Sequence, residues 1–168
     1  MRLLYLLLFS TVMFSMQVLA GEKSVHKKVP LEKAVPLLKS IEDYAMHMGR
    51  GARDVHIFVD PLCPHSQNLI EMISTSEKAL VRNSYSIYLY TLKRLHSEKS
   101  VLAIYSSEDP LSSMLAVMVD KEEVTSADIS KDEVVIEVEA IAKVAKELDV
   151  YKRPYLIFVK KPKKERGQ

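Results

Sequence analysis

Residues 56–66 read His-Ile-Phe-Val-Asp-Pro-Leu-Cys-Pro-His-Ser, an apolar run followed by a turn, a cysteine and a proline. The run from Val55 to Val59 is short and rich in β-branched and aromatic residues, as expected for a buried parallel strand. Pro64 suits the first turn of a helix, because the N–H that proline lacks has no helical partner there. The segment therefore predicts a buried strand, a turn and a helix that begins at Cys63.

Cys63 would lie at the N-terminus of this helix, where backbone N–H groups lack helical partners. These groups and the positive end of the helix dipole favour a thiolate. With the helix packed on the sheet, we expect the sulfur at the edge of the sheet, facing solvent. Cys63 is the only cysteine of the chain, so no internal disulfide can form. The alternative is a buried cysteine that acts as a small apolar side chain.

The same segment resembles a known family through the pattern Phe58-x-Asp60-x-x-Cys63-Pro64-His65-Ser66. It is similar to the active-site segment of the thioredoxin superfamily, and most similar to the periplasmic Dsb disulfide isomerases and oxidases. Their pattern is Cys-x-x-Cys, with a Pro-His pair between the cysteines of the oxidases, whereas this chain has Ser66 in place of the second cysteine. The resemblance implies an α/β, thioredoxin-like fold and a catalytic group of Cys63, His65 and Ser66.

Ser66 limits the chemistry that this resemblance implies, because a hydroxyl cannot form a disulfide bond. Without a second thiol to resolve a mixed disulfide, the chain should not act alone as a dithiol oxidase or reductase. Monothiol exchange remains, in which Cys63 captures a client that is later released by the client's own thiol or by a small thiol. We expect protonated His65 and a hydrogen bond from Ser66 to favour the Cys63 thiolate.

A second part of the resemblance lies near the C-terminus, where residues 153–159 read Arg-Pro-Tyr-Leu-Ile-Phe-Val. In thioredoxin-like proteins a cis-proline faces the reactive cysteine just before such a strand, and the resemblance gives this position to Pro154. We therefore expect Pro64, Arg153 and Pro154 to border the substrate. The family usually has a small or β-branched residue before this proline. The guanidinium of Arg153 would either reach Cys63 or point to water.

The N-terminal residues have the features of a cleaved secretory signal peptide, which we assign to residues 1–20. Arg2 precedes an apolar run that ends in a cleavage signal at Ala20. A membrane anchor is the alternative, but the run is short and is interrupted by polar residues. Export implies an oxidising compartment, which is a bacterial periplasm or the exterior of the cell.

The remaining chain is predicted to be one domain with short additions. Apolar spacing predicts a helix between Pro36 and Gly49, which resembles the linker helix of the Dsb isomerases. The predicted segments are a lead-in with this linker helix (21–53), a thioredoxin-like domain with a helical insertion (54–159) and a solvated basic tail (160–168). The family's sheet continues with a further strand and a closing helix, which we expect to be missing. Strand 155–159 would then be an open edge for a partner or a second copy.

The net charge and the spacing of possible metal ligands bear on two further kinds of function, nucleic-acid binding and metal chemistry. The formal net charge of +2 gives no indication of a nucleic-acid partner. The histidines and the cysteine lack the spacing of a metal site, and we expect no metal or other cofactor.

Three interpretations remain open. The first is monothiol exchange of the isomerase type, with a thiol- or disulfide-containing client protein or a small thiol as partner. The second is a redox-inactive binding or assembly factor that uses the peptide groove of the fold. The third, a thiol-dependent peroxidase or oxidant sensor, lacks a visible Thr/Arg arrangement for peroxide. Enzymatic turnover with a single thiol is left undecided.

Overall fold

A mixed four-stranded sheet organises residues 26–123 and 132–160, the parts of the chain that the computed structural model describes. Its strands are β1 (Met46–Met48), β2 (Arg53–Val59), β3 (Asn83–Leu89) and β4 (Tyr155–Lys160). They lie in the order β1-β3-β2-β4. The central pair β2 and β3 is parallel, while β1 runs antiparallel to β3 and β4 antiparallel to β2.

The central strands are buried on both faces, as the apolar run from Val55 to Val59 predicted. Side chains alternate between the faces of a sheet, so Ile57 and Ile87 share one face while Phe58 and Tyr88 share the other. All of them are fully buried. Layers of helix must therefore cover both sides of the sheet.

Six helices surround the sheet within the described residues. They are α1 (Leu31–Lys39), α2 (Pro64–Ser74), α3 (Glu77–Arg82), α4 (Glu98–Ser106), α5 (Pro110–Met118) and α6 (Asp132–Glu147). Helices α4 and α5 form the predicted insertion between β3 and the long amphipathic helix α6. Helix α5 begins at Pro110, and the Asp109 side chain accepts a hydrogen bond from the N–H of Ser112.

The predicted helix between Pro36 and Gly49 is wrong at both ends, because α1 already begins at Leu31. Helix α1 ends at Lys39, and Met46–Met48 forms strand β1, which pairs with β3. Over so short a segment both patterns fit, because Met48 lies three residues after Ala45, as in a helix, and two after Met46, as in a strand. Pairing with β3 selects the strand. The sheet therefore takes residues from the segment predicted to be a lead-in and linker helix.

Strand β4 is one of the two edge strands of the sheet in the described part of the chain, and β1 is the other. Its Phe158 side chain is 62% exposed. The predicted signal peptide and the basic tail beyond Lys160 lie outside the described residues and stay predictions. Among residues 26–123 and 132–160, no helix combines the length and the hydropathy needed to cross a bilayer.

Candidate functional site

Helix α2 begins where the sequence predicted, directly after Cys63. Cys63 is the N-cap residue in an extended conformation, and Pro64 is the first helical residue. The backbone N–H of Cys63 donates to the carbonyl of Asp60 (3.0 Å), and the carbonyl of Cys63 accepts from the N–H of Gln67 (2.9 Å). These bonds fix the turn between β2 and α2 and place the thiol at the helix N-terminus.

The Cys63 sulfur faces the loop that precedes β4. Its Sγ lies 3.9 Å from the carbonyl oxygen of Arg153, to which the thiol donates. The next peptide bond, between Arg153 and Pro154, is cis. The structure thus brings together Cys63, Arg153 and Pro154, which are far apart in the sequence but meet at the same end of the sheet.

The expectation that the sulfur faces solvent is wrong. Cys63 is only 2% exposed, because the Arg153 carbonyl and the surrounding loop cover the thiol. It belongs to the buried apolar residues of the core, as the alternative of a buried, apolar cysteine predicted. The neighbouring side chains of Leu62, Pro64 and His65 are exposed, so solvent and partners reach the rim of the site directly.

Arg153 takes neither of the two positions expected for it. Its side chain points neither to water nor onto the sulfur, but lies buried and stacks on the ring of Tyr90, with Cζ 3.8 Å from the ring centroid. Its guanidinium donates to four backbone carbonyls: Tyr90 (2.8 Å), Val150 (3.1 Å), Lys152 (2.9 Å) and Thr91 (3.3 Å). Arg153 therefore ties the end of β3 to the loop over Cys63.

Burial lowers the pKa of the Arg153 guanidinium, while Tyr90, Asp60 and Cys63 act to raise it. An arginine nevertheless stays protonated at neutral pH. The site thus contains a permanent buried cation whose donors are satisfied by carbonyl oxygens.

Ser66 lies fully buried on the first turn of α2. Its hydroxyl oxygen accepts a hydrogen bond from the backbone N–H of Asp60 at 3.3 Å. The bond from Ser66 to the Cys63 sulfur that we expected is not formed among the described residues, and the hydroxyl contacts the end of β2. Ser66 therefore helps to dock α2 onto β2.

Asp60 is a fully buried carboxylate directly after β2. Its Oδ1 accepts from the N–H of Leu62 (2.9 Å), and its Oδ2 accepts from the Ser97 hydroxyl (2.7 Å) and from the N–H of Leu92. Ser97 directly precedes α4, and its hydroxyl binds Asp60 and does not cap the helix. The carboxylate thus joins the turn between β2 and α2 to the connection between β3 and α4.

Tyr90, Leu92 and Ser97 support the site but were not predicted to do so. Each acts through a contact more than 30 residues away in the sequence. The spacing of single residues carries no signal for such contacts.

A second polar cluster lies on the face of the sheet that carries His56 and Ser86. Glu42 accepts from the hydroxyls of Ser86 (3.0 Å) and Tyr88 (3.2 Å), and its Oε2 lies 3.8 Å from His56 Nδ1. The cluster borders a cavity of about 420 Å³. Burial lowers the pKa of His56, although Glu42 and Asp54 act to raise it. In the described residues, no group of three or more His, Cys, Asp or Glu side chains is arranged to hold a metal ion.

The folded chain is similar to several solved structures. The catalytic domain of Proteus mirabilis ScsC matches it with a TM-score of 0.57 and 17% identity, over 77% of this chain and 86% of that one. A disulfide interchange protein from Neisseria gonorrhoeae gives a TM-score of 0.53 and 17% identity, over 68% of this chain and 79% of that one. This chain has the thioredoxin-like fold of the Dsb and ScsC proteins.

Helicobacter pylori DsbG has the same thioredoxin-like fold, with a TM-score of 0.55 and 19% identity over 77% of this chain and 62% of DsbG. The sequence itself matches no protein-family model and no functionally curated protein. The likeness is therefore one of fold. The chemistry has to be argued from the residues of this chain.

Proposed function

We propose that this thioredoxin-like protein carries out monothiol thiol–disulfide exchange through Cys63, in the manner of an isomerase. The observation that carries the proposal is the position of the thiol, at the start of α2 and opposite the carbonyl that precedes Pro154. A helix N-terminus favours the thiolate, which is the form that attacks a disulfide. Several proteins with this fold are named for disulfide interchange or isomerisation, which agrees with the proposal.

The reaction begins when the Cys63 thiolate attacks one sulfur of a client disulfide. A bond forms between Cys63 and that sulfur, the client S–S bond breaks, and the second client sulfur leaves as a thiolate. Another client thiolate then attacks the captured sulfur, which forms a new client disulfide and returns Cys63 as a thiolate. The client is rearranged without net oxidation, so no external oxidant or reductant is consumed.

Two residues of the predicted site have limited roles in this proposal. Ser66 replaces the resolving thiol, so the mixed disulfide persists until the client or a small thiol cleaves it. His65 is exposed on the first turn of α2 and, when protonated, adds positive charge beside the thiolate.

Access to the sulfur requires the loop over Cys63 to move, because the residue is almost fully covered. The covering atom that the thiol contacts is a backbone carbonyl, and Leu62 and Pro64 are exposed beside it. A small displacement of residues 151–154 would therefore open the thiol without disturbing the core. We place this reaction in an exported, oxidising compartment, on the basis of the predicted signal peptide at residues 1–20.

The burial of Cys63 favours a second candidate, a binding or assembly factor that holds polypeptide at the same loop without redox turnover. In that case the thiol serves as a buried donor to the Arg153 carbonyl. Both functions use the surface around Pro154, and they differ only in whether Cys63 reacts.

Incubation of the mature protein with a scrambled disulfide substrate separates the two candidates. The exchange function predicts that substrate activity recovers faster than with the Cys63→Ala and Cys63→Ser variants, and that a mixed disulfide with Cys63 is trapped by acid quenching. Equal recovery with wild type and both variants, with no trapped species, would contradict it. Thermal unfolding of all three proteins serves as the control for folding.

The variant Ser66→Cys tests the geometry of the helix start separately. It places a second thiol one helical turn after Cys63, where the family has its resolving cysteine. We expect an internal disulfide under mild oxidation and a gain of dithiol oxidase activity. Two free thiols after the same oxidation would show that the inferred geometry is wrong.

A further inference from the structure

A cavity of about 380 Å³ borders Pro154, immediately beside the thiol site. Residues from the segment before α1 (His26 and Lys28) and from the loop and strand around Pro154 (Tyr151, Lys152 and Tyr155) line it. The carbonyl that precedes Pro154 is the group that faces the Cys63 sulfur at 3.9 Å. A polypeptide bound covalently to Cys63 would therefore pass this cavity within a few residues.

Aromatic rings form a fixed wall of the cavity. The His26 ring stacks on Tyr151 with centroids 3.9 Å apart, and Tyr151 meets Tyr155 edge to face at 5.9 Å. Tyr151 is 48% exposed, so part of its ring remains available to a ligand. Such surfaces contribute contact area at a low cost in side-chain entropy.

The charge lining the cavity is positive. Lys28 and Lys152 are both exposed, and the Lys152 ammonium lies 5.7 Å from the centroid of the Tyr151 ring. The nearby Asp149 carboxylate is already bound by His26 Nδ1 (3.0 Å) and by the N–H of Lys27 (3.1 Å). Neither Lys28 nor Lys152 forms a salt bridge within the described residues, so both ammonium groups remain available to an anionic group from outside.

We propose that this cavity, lined by His26, Lys28, Tyr151, Lys152 and Tyr155, binds an acidic side chain of the client polypeptide. The acidic residue would lie within about three residues of the attacked cysteine, since an extended chain spans about 3.3–3.6 Å per residue. This inference rests on the proposed exchange function and names its substrate class, which is disulfides flanked by aspartate or glutamate. Complementary charge would increase the rate of capture and hold the client in register.

Short peptides with one cysteine, activated as a mixed disulfide with pyridine-2-thiol, provide the probe. The Cys63 thiolate attacks the peptide sulfur, a Cys63–peptide disulfide forms, and the S–S bond to the pyridine breaks. The pyridine-2-thiolate that leaves takes a proton from water and is followed by the absorbance of pyridine-2-thione. Peptides with Glu, Gln or Lys at each of the three positions on either side of the cysteine are compared.

We expect the best Glu peptide to react about fivefold faster than its Gln counterpart, as one exposed ion pair of about 1 kcal/mol would allow. The advantage should shrink in about 1 M salt, where screening acts over about 3 Å. The double variant Lys28→Gln/Lys152→Gln should abolish the difference between Glu and Gln peptides. The double variant Lys28→Glu/Lys152→Glu should make the Lys peptide the fastest.

Lys78→Gln provides the matched control, because Lys78 is an exposed lysine that lines a different cavity. It should retain the full preference for the Glu peptide. Equal rates for Glu and Gln peptides with wild type, in a reaction that Cys63→Ala abolishes, would overturn this inference and leave the exchange function standing. If wild type releases pyridine-2-thione no faster than Cys63→Ala does, with every peptide, the exchange function is overturned and this inference with it.

Discussion

The two polar clusters of this fold differ in how completely their groups are satisfied. At the thiol site, the Asp60 carboxylate accepts from three donors and the Arg153 guanidinium donates to four carbonyls, all in a buried setting. In the second cluster, the side chain of Glu42 is 41% exposed beside an open cavity. The first cluster thus acts as a fixed support for Cys63, whereas the second can still exchange protons with solvent.

This difference in burial determines how much stability each cluster loses when a partner is removed. A buried charge that meets all its partners holds its neighbours in one arrangement, and losing a partner is costly. A partly exposed group loses little when a partner is removed, because water replaces it. Substitutions in the two clusters should therefore have unequal effects.

The largest effect is expected for Asp60→Ala. It leaves the N–H groups of Leu62 and Leu92 and the Ser97 hydroxyl without their acceptor, and it removes the negative charge near Arg153. We expect the free energy of unfolding to fall by about 3–5 kcal/mol. Urea denaturation measures this loss, and the exposed Asp43→Ala is the control, with a change within about 0.5 kcal/mol. A similar small loss for Asp60→Ala would contradict the comparison.

Arg153→Met should follow, with a loss of about 2–3 kcal/mol. Methionine keeps an apolar side chain against Tyr90 but leaves the four carbonyls without their donor. Because these bonds hold the loop over Cys63, alkylation of the native thiol by iodoacetamide should also accelerate, by about tenfold for each 1.4 kcal/mol of loop stability. The exposed Arg82→Met should alter neither quantity, and an unchanged alkylation rate in Arg153→Met would rule out the role of Arg153 as a loop anchor.

These supporting contacts also mark the limit of prediction from the sequence. The strand ending at Val59, the helix start at Cys63 and the loop with Pro154 could be predicted, because each depends on neighbouring residues or on a family pattern. The bonds from Arg153 to Tyr90 and from Ser97 to Asp60 depend on segments that only the folded topology brings together. Strand β1 was missed for the same reason, since pairing with β3 determines its conformation.

A smaller effect is expected in the second cluster for Tyr88→Phe. The substitution removes the hydroxyl that donates to Glu42 and contacts His56 Nδ1, but it keeps the buried ring against Phe58. Glu42 retains the Ser86 hydroxyl and its contact with water, so we expect a loss of only about 1 kcal/mol in the free energy of unfolding. A loss in the free energy of unfolding as large as that of Asp60→Ala would mean that removing a partner costs as much in the second cluster as in the first.

The smallest effect should appear only as pH dependence, through His56. Burial depresses its pKa in the folded state below the ordinary value of 6.5, despite the opposing charges of Glu42 and Asp54, and His47 lowers it further. The unfolded chain therefore binds a proton first as the pH falls, so stability is full above pH 6.5 and decreases below it, until the folded state also binds the proton. Urea midpoints of wild type and His56→Gln, measured across this range, should converge at acidic pH. Parallel curves would mean that His56 titrates alike in both states, and burial in the second cluster would then have no effect on its protonation.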